Sequence, residues 1–361
     1  MTVADLGEFG LIAAIAAKLP PSGKTVVGIG DDAAVLTAPD GRVVATMDLL
    51  VEGRHFRRDW SGPADIGGKA AARNLADVAA MGATPVALLV GLAAPGTLPV
   101  AWATELVSGM AAECARTGAT VAGGDVSGAD TIMLAVTALG DLAGREPVTR
   151  AGARAGDLLA VAGVLGHSAA GLGLLTAGLA APAGPAGPAA PAAPAGLARL
   201  VAAHRWPRPV YEAGPEAAAL GATSMIDVSD GLIADVGHVA KASGVLIDID
   251  PSRLEPGADL LAAAELLGGT AASTGPAAST VPAASARPAA SARMGQPGPP
   301  GQPEPLGWML TGGEDHALAA TFPAGTVLPA RWSVIGFVRQ GEGVLVGGQP
   351  FHGRGGWDHF G

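Results

Sequence analysis

Along the first twenty residues Leu6, Phe9, Ile12, Ile15 and Leu19 recur at helical spacing, which predicts an amphipathic helix over residues 5–19. The period then shortens. The runs "TVVGIG", "AAVLT" and "RVVATMD" read as short strands, and a turn at Asp40 and Gly41 joins the last two as a hairpin. Residues 64–81 and 99–117 return to a helical pattern and alternate with strands at "PVALLVGLA", "ATVAG" and "TIMLAVTALG". A second block repeats this rhythm: strand "DLLAVAG", a helix from Ser168 to about Ala180, strand "TSMIDVS", helix "GLIADVGHVAKAS" and strand "GVLIDID". The alternation predicts an α/β (α+β) chain, and 361 residues suit two domains, residues 1–145 and 146–361.

Two segments stand outside the pattern. Residues 181–196 are almost wholly Ala, Pro and Gly, and residues 268–305 contain "PAASTVPAASARPAASAR", too short and polar a repeat to stack as a solenoid. Both are expected to be disordered surface insertions, tolerated because loop closure cost rises slowly with length. Uncharged runs at residues 78–104 and 158–181 are long enough to span a bilayer. Their prolines, glycines and His167 instead favour buried strands and helices separated by turns.

Composition narrows the chemistry. Aromatic residues are 4% of the chain, so the core must be built from Ala, Val and Leu. A formal net charge of −10 argues against a nucleic-acid surface, which needs clustered Lys and Arg. The single Cys114 excludes an intramolecular disulfide framework and a Cys-rich zinc site. With no basic, then apolar, leader at "MTVADLGEFG", the expectation is a reduced, cytoplasmic protein.

Aspartates fall repeatedly at expected strand ends or beside glycines: Asp31 and Asp32 in "GIGDD", Asp48 in "ATMD", Asp77 in "NLADVAAMG", Asp125 in "VAGGD", Asp227 and Asp230 in "MIDVSDG". Partly hydrated carboxylates that converge repel one another unless cations neutralise them. No His pair, HExxH or CxxC accompanies them, so the ligation would be all-oxygen and favour Mg or Mn over Zn. Several ions around a polyphosphate would account for so many carboxylates. Neighbours in an extended chain point to opposite sides, so one of Asp31 and Asp32 would face metal while the other ties down the loop. Taken singly, a strand-end Asp is more often a turn former, Asp230 more often a helix cap, and Asp77 more often a solvated helix face.

The chain carries no GxxxxGK[ST], no H-R-D with D-F-G, and no GxGxxG between strand and helix. The segments "GIGDDAAVL", "MDLLVEGRHF", "KAAARNLADVAAMGATP", "GGDVSG", "IDVSDGLIADVGHVAKASGV" and "GGEDHAL" together resemble the thiamine-monophosphate kinase family. That family belongs with aminoimidazole ribonucleotide synthetase, selenophosphate synthetase and a hydrogenase-maturation protein. The resemblance covers the chain apart from the two Ala/Pro segments. It implies a two-domain aminoimidazole ribonucleotide synthetase-like fold, a homodimer paired through the N-terminal domains, and ATP-dependent phosphorylation of thiamine monophosphate to the diphosphate. It implies magnesium held by Asp32, Asp48, Asp77, Asp125, Asp227 and Asp230, with Thr46 and Met47 where the family commonly has two hydroxyl residues. Asp48, Asp125 and Asp230 would be catalytic; Gly124, Asp125, Arg150 and Ser229 would contact ATP; His55, Glu314 and Trp357 would hold the thiamine end.

The expected chemistry is self-consistent. Phosphoryl transfer needs in-line positioning and neutralised charge more than covalent help, and a phosphate acceptor needs no strong general base. The cationic thiazolium suits a carboxylate and an aromatic face, Glu314 and Trp357. Two departures stand out: Met47 offers a metal only its backbone carbonyl, and His316 replaces the aromatic usual in "GGED", near the expected substrate pocket. The selenophosphate and hydrogenase-maturation relatives would want a reactive Cys near one terminus, absent here. Aminoimidazole ribonucleotide synthetase and a non-catalytic nucleotide sensor are the alternatives, argued against respectively by "EGRHF", "GGED" and "GWDHF" and by the intact aspartates.

Overall fold

The first helix, α1 (Val3–Ala16), begins on a capping box: the Thr2 hydroxyl accepts from the Asp5 N–H at 3.2 Å and Asp5 Oδ2 accepts from the Thr2 N–H at 2.8 Å. Pro20 disfavours helical geometry at Leu19, so α1 stops short of the expected end. The computed structural model describes residues 1–20, 25–27, 35–180, 195–273, 304–351 and 356.

The N-terminal half continues with β1 (Thr25–Val27), β2 (Val35–Leu36), β3 (Val44–Val51), α2 (Pro63–Ala80), β4 (Thr84–Ala94), α3 (Val100–Ala115), β5 (Thr120–Gly128) and β6 (Met133–Asp141). β3, β6, β4 and β5 lie side by side in that order, β4 and β5 parallel and the other neighbours antiparallel. The expected β2–β3 hairpin is not made, because β2 pairs with β1 while β3 runs its whole length against β6. α2 and α3 cover one face of this sheet. A Cβ at Gly67 would lie 1.9 Å from the Leu106 carbonyl oxygen and one at Gly109 2.0 Å from that of Ala64, so the two helices cross in direct backbone contact. On the other face, among the described residues, Val86, Ala87 and Ala122 pack with Leu36 of β2, whereas along β3 Met47 and Leu49 are 58% and 44% exposed although Leu50, facing the helices, is fully buried.

The C-terminal half contains β7 (Leu158–Ala162), α4 (His167–Thr176), α5 (Ala195–Arg205), α6 (Ala213–Ala219), β8 (Ser224–Val228), α7 (Leu232–Ser243), β9 (Leu246–Ile249), α8 (Ala258–Ser273) and α9 (Pro305–Thr311). It ends with β10 (Ala317–Phe322), β11 (Trp332–Arg339), β12 (Gly343–Val346) and β13 (Gln349–Pro350). A seven-stranded sheet runs β13-β12-β9-β11-β7-β10-β8. Its two faces alternate residue by residue. Leu159 and Val161 of β7 face a core shared with α4 and α7, whereas Ala160 and Ala162 join Met225, Leu318 and Phe322 in the core that holds α2. The β8 edge of this sheet thereby packs against α2.

Residues 268–273 belong to α8, Ala195 and Gly196 open α5, and Pro305 opens α9, so the expected insertions overlap helices at their margins. Residues 181–194 and 274–303 lie outside the described residues. Among the described residues no helix is long and apolar enough to cross a membrane.

Candidate functional site

On α2, Lys69, Arg73 and Asp77 are spaced four apart and line one face of the helix. Across from them, β3 alternates Thr46 and Asp48 inward with Met47 outward. Thr46 Oγ1 donates to Asp77 Oδ2 at 3.0 Å, and the Asp48 N–H donates to Asn74 Oδ1 at 3.1 Å. Asn74 is itself fixed by donating to the Ala70 carbonyl at 2.9 Å. Asp48 and Asp125 sit within strands rather than at their ends, because β3 continues to Val51 against Met133 and β5 to Gly128 against Ala94.

The third wall comes from the C-terminal half. Asp227 lies on the same face of β8 as Met225, toward α2. Beyond it, residues 229–231 pack against the strand-entry loop 312–316: the Glu314 N–H donates to the Ser229 carbonyl at 2.7 Å and the His316 N–H to that of Val228 at 2.9 Å. A Cβ at Gly313 would lie 2.5 Å from the Ser229 oxygen, so this approach requires glycine. Glu314 and His316 both adopt left-handed backbone, at φ 65° and 53°. Such strain persists only where surrounding contacts impose it, and here it aims Glu314 at α2.

Lys69 Nζ donates to Glu314 Oε2 at 2.7 Å and to the His204 carbonyl at 3.2 Å. Arg73 reaches Glu314 Oε1 at 3.3 Å and Asp48 Oδ2 at 3.4 Å. Burial opposes ionisation of Glu314, but Lys69, with Arg73, outweighs it and holds the carboxyl well below its usual range. His204 stands 3.7 Å from Glu314 without forming an ion pair, since burial beside Lys69 pushes its imidazole down to about 3. Asp77 behaves oppositely. Burial, then Asp227 and Asp48, push it up to about 8. Asp48 and Asp227 thus stand close enough to Asp77 to penalise its charge. Among the described residues no three of them close on a single ion-sized point. This spacing fits ions that complete their shells with water or phosphate oxygens, as magnesium does.

Residues 30–142 match the family described as AIR synthase related protein, N-terminal domain. The thiamine-monophosphate kinase of Mycobacterium tuberculosis (strain CDC 1551 / Oshkosh) is 42% identical over 361 residues, spanning 100% of this chain and 93% of its own length. The chain belongs to the thiamine-monophosphate kinase family. The crystal structure of thiamine-monophosphate kinase from Stenotrophomonas maltophilia K279a matches with a TM-score of 0.73 at 30% identity, covering 95% of this chain and 98% of that one. AaThiL complexed with AMPPCP and TMP matches with a TM-score of 0.71 at 30% identity, covering 100% and 99%. This is the mixed α/β, aminoimidazole ribonucleotide synthetase-like fold that the motifs implied.

Within this member of the thiamine-monophosphate kinase family, Thr46, Asp48, Asp77, Asp227 and Glu314 are brought together, and Ser229 and Asp230 adjoin them on the loop after β8. Asp230 is not the helix cap; Gly231 takes that position, and buried Asp235 accepts from the N–H groups of Asp230 and Gly231, each at 3.0 Å. Asp125 is not brought to Asp48 in one chain. Asp48 shares its row across the sheet with Val136, Val90 and Gly124, whereas Asp125 pairs with Gly91, in the row of Leu49 on the face opposite α2 and α3. Three strand spacings, roughly 14 Å, separate β3 from β5. His55 sits on the turn after β3, its Nδ1 accepting from the Val51 N–H at 3.0 Å. Arg150 is exposed on the connection between halves, beside a cleft of about 400 Å³ lined by Arg145, Glu146, Thr149, Ala151 and Thr223. Asp31, Asp32 and Trp357 lie outside the described residues.

His316 is 1% exposed, and its Nδ1 lies 3.0 Å from Asp227 Oδ2, so it braces that carboxylate from the buried side. Sequence reasoning missed Lys69 and Arg73. Their signal was the four-residue spacing of Lys, Arg and Asp along an otherwise Ala-rich helix.

Proposed function

We propose that the chain phosphorylates thiamine monophosphate with ATP, giving thiamine diphosphate by direct in-line transfer, and that it does so as a homodimer. The observation that carries the reading is the approach of Asp48, Asp77 and Asp227, which leaves Asp77 pushed up to about 8, beside an ionised Glu314. Magnesium, when bound, would neutralise the charge on the transferring phosphoryl group and its acceptor. Asp48, Asp77 and Asp227 would hold it with Thr46, joined by Asp32 and Asp230 and by the Met47 carbonyl, while Asp125, on the opposite face of the sheet, would serve a separate ion. Gly124, Asp125, Arg150 and Ser229 would contact ATP.

The chain's own residues divide the remaining work. Glu314, kept ionised by Lys69 and Arg73, presents a fixed negative charge to the thiazolium, with His55 and Trp357 as its companions. The strained loop over 312–316 holds that carboxylate in place, which lowers the ordering cost of binding. No group has to abstract a proton, because the acceptor phosphate is ionised near neutral pH. The exposed apolar residues on the outer face of β3 and β6, Met47, Leu49 and Met133 at 58%, 44% and 37% exposure, support pairing with a second copy. Cys114 is a free, buried thiol, in keeping with a cytoplasmic setting.

The test is formation of thiamine diphosphate from ATP and thiamine monophosphate, with and without magnesium and with free thiamine as control acceptor. Magnesium-dependent product from the monophosphate alone is expected; ATP binding with no product would sink the reading. Sedimentation of wild type and Met47→Glu tests the pairing, the variant being expected to shift from dimer to monomer.

A further inference from the structure

The reading above places the thiamine ring at Glu314 and the reacting phosphates at Asp48, and one side chain touches both. The Arg73 guanidinium has Nε 3.4 Å from Asp48 Oδ2 and one terminal nitrogen 3.3 Å from Glu314 Oε1, with its side chain 11% exposed. These are long single contacts rather than a bidentate grip on either carboxylate, and they engage two of the five N–H donors of a guanidinium. A guanidinium stays cationic at any working pH, and this one is set between Glu314 and Asp48. Lys69, one turn earlier, is only 2% exposed and is committed to Glu314 and the His204 carbonyl, which makes it the brace for Glu314. Arg73 faces the site instead.

We propose that Arg73 recognises the phosphate of the acceptor and thereby selects the monophosphate over free thiamine. An acceptor whose cationic ring lies at Glu314 and whose phosphate reaches toward Asp48 must carry that phosphate past the guanidinium. A cluster of carboxylates repels a phosphate approaching it, and a planar cation with spare donors at the entrance supplies the compensating attraction. This inference rests on the kinase reading and adds the residue that reads the acceptor's anionic end.

Calorimetric titration of wild type, Arg73→Gln and Arg73→Lys with thiamine monophosphate, with free thiamine and with a non-hydrolysable ATP analogue tests it, each with and without magnesium. Losing a charge-assisted pair to phosphate is expected to weaken binding of the monophosphate at least about tenfold in Arg73→Gln. Free thiamine and the ATP analogue should change less than about twofold. Arg73→Lys should recover part of the loss, since it keeps the charge without the fork. Equal weakening of monophosphate and free thiamine would mean that Arg73 only positions Glu314, and unchanged monophosphate affinity would likewise overturn the proposal. If Arg73→Gln does not fold, the same ratio read on Arg73→Lys decides it. Wild type failing to bind the monophosphate would instead sink the kinase reading itself.

Discussion

Glu113 on α3 and Asp77 on α2 are both carboxylates set into neighbouring apolar helices, and they are finished very differently. Glu113 is fully buried and receives Trp206 Nε1 at 2.6 Å, the Tyr211 hydroxyl at 2.5 Å, Arg208 at 3.1 Å and Arg116. Four donors surround one charge. Asp77 receives the Thr46 hydroxyl and faces Asp48 and Asp227, so its neighbours make ionisation harder. A buried charge that is fully paired ties elements together, here α3 to residues 206–211; one left among like charges costs stability unless a ligand completes it. The α2 cluster is therefore the one that awaits substrate.

The largest expected effect separates the two clusters by activity. Asp48→Ala and Asp77→Asn should lower turnover on the order of a thousandfold or more while leaving the fold intact. Diphosphate formation and circular dichroism check this, and near-normal turnover would remove the metal assignment. In thermal scans without metal near neutral pH, Asp77→Asn should match or exceed wild type, because it removes a carboxyl that must take up a proton, or bear a penalised charge, on folding. Glu113→Ala should do the reverse, losing about 3–5 kcal/mol in denaturant unfolding with little change in turnover per folded molecule. A stability loss below about 1 kcal/mol would break the comparison.

Glu314→Gln probes the boundary between these behaviours, since Glu314 is paired with Lys69 and Arg73 and, in the proposed function, also meets the substrate. It should raise the KM for thiamine monophosphate at least about tenfold, and it should lower stability because buried Lys69 loses its counter-charge. Loss of stability with an unchanged KM would reassign Glu314 to the structural class.

The smallest effect concerns Asp315, which accepts from the Gly166 N–H at 2.5 Å and the Ser168 N–H at 2.8 Å at the start of α4. Burial, outweighing those bonds, pushes it up to about 7 from an ordinary 3.8. The folded protein therefore retains a proton that the unfolded chain releases, and stability should fall as pH rises from about 4 to about 7, then level. Asp315→Asn should remove roughly one proton's worth of that slope, as read from unfolding free energy against pH. An unchanged slope would place the titration elsewhere.

Much of this was legible along the chain. Helices α1, α2, α3 and α7 and strands β4, β6, β7, β8 and β9 follow from hydrophobic period, because one buried face writes its own repeat into local sequence. The aspartates beside glycine and the six ordered motifs carried the family. Neither source could assign faces across a sheet. Asp48 and Asp125 both read as strand-end carboxylates, but pairing register turns Asp48 to the face that packs on α2 and sends Asp125 to the opposite face. The same non-local choice sent β3 to β6 instead of β2, against a sound local turn signal.

Lys69 and Arg73 illustrate the division most directly. Their positions on one face of α2 were fixed by a spacing of four, which any helix obeys. Which carboxylates they meet depended on a loop 240 residues away, held by strained backbone against Ser229. Period and residue type are local properties of a chain, whereas charge compensation is set by whatever the packed sheets bring alongside; the sequence determined the chemistry present, and tertiary structure decided which charges would be left for a ligand.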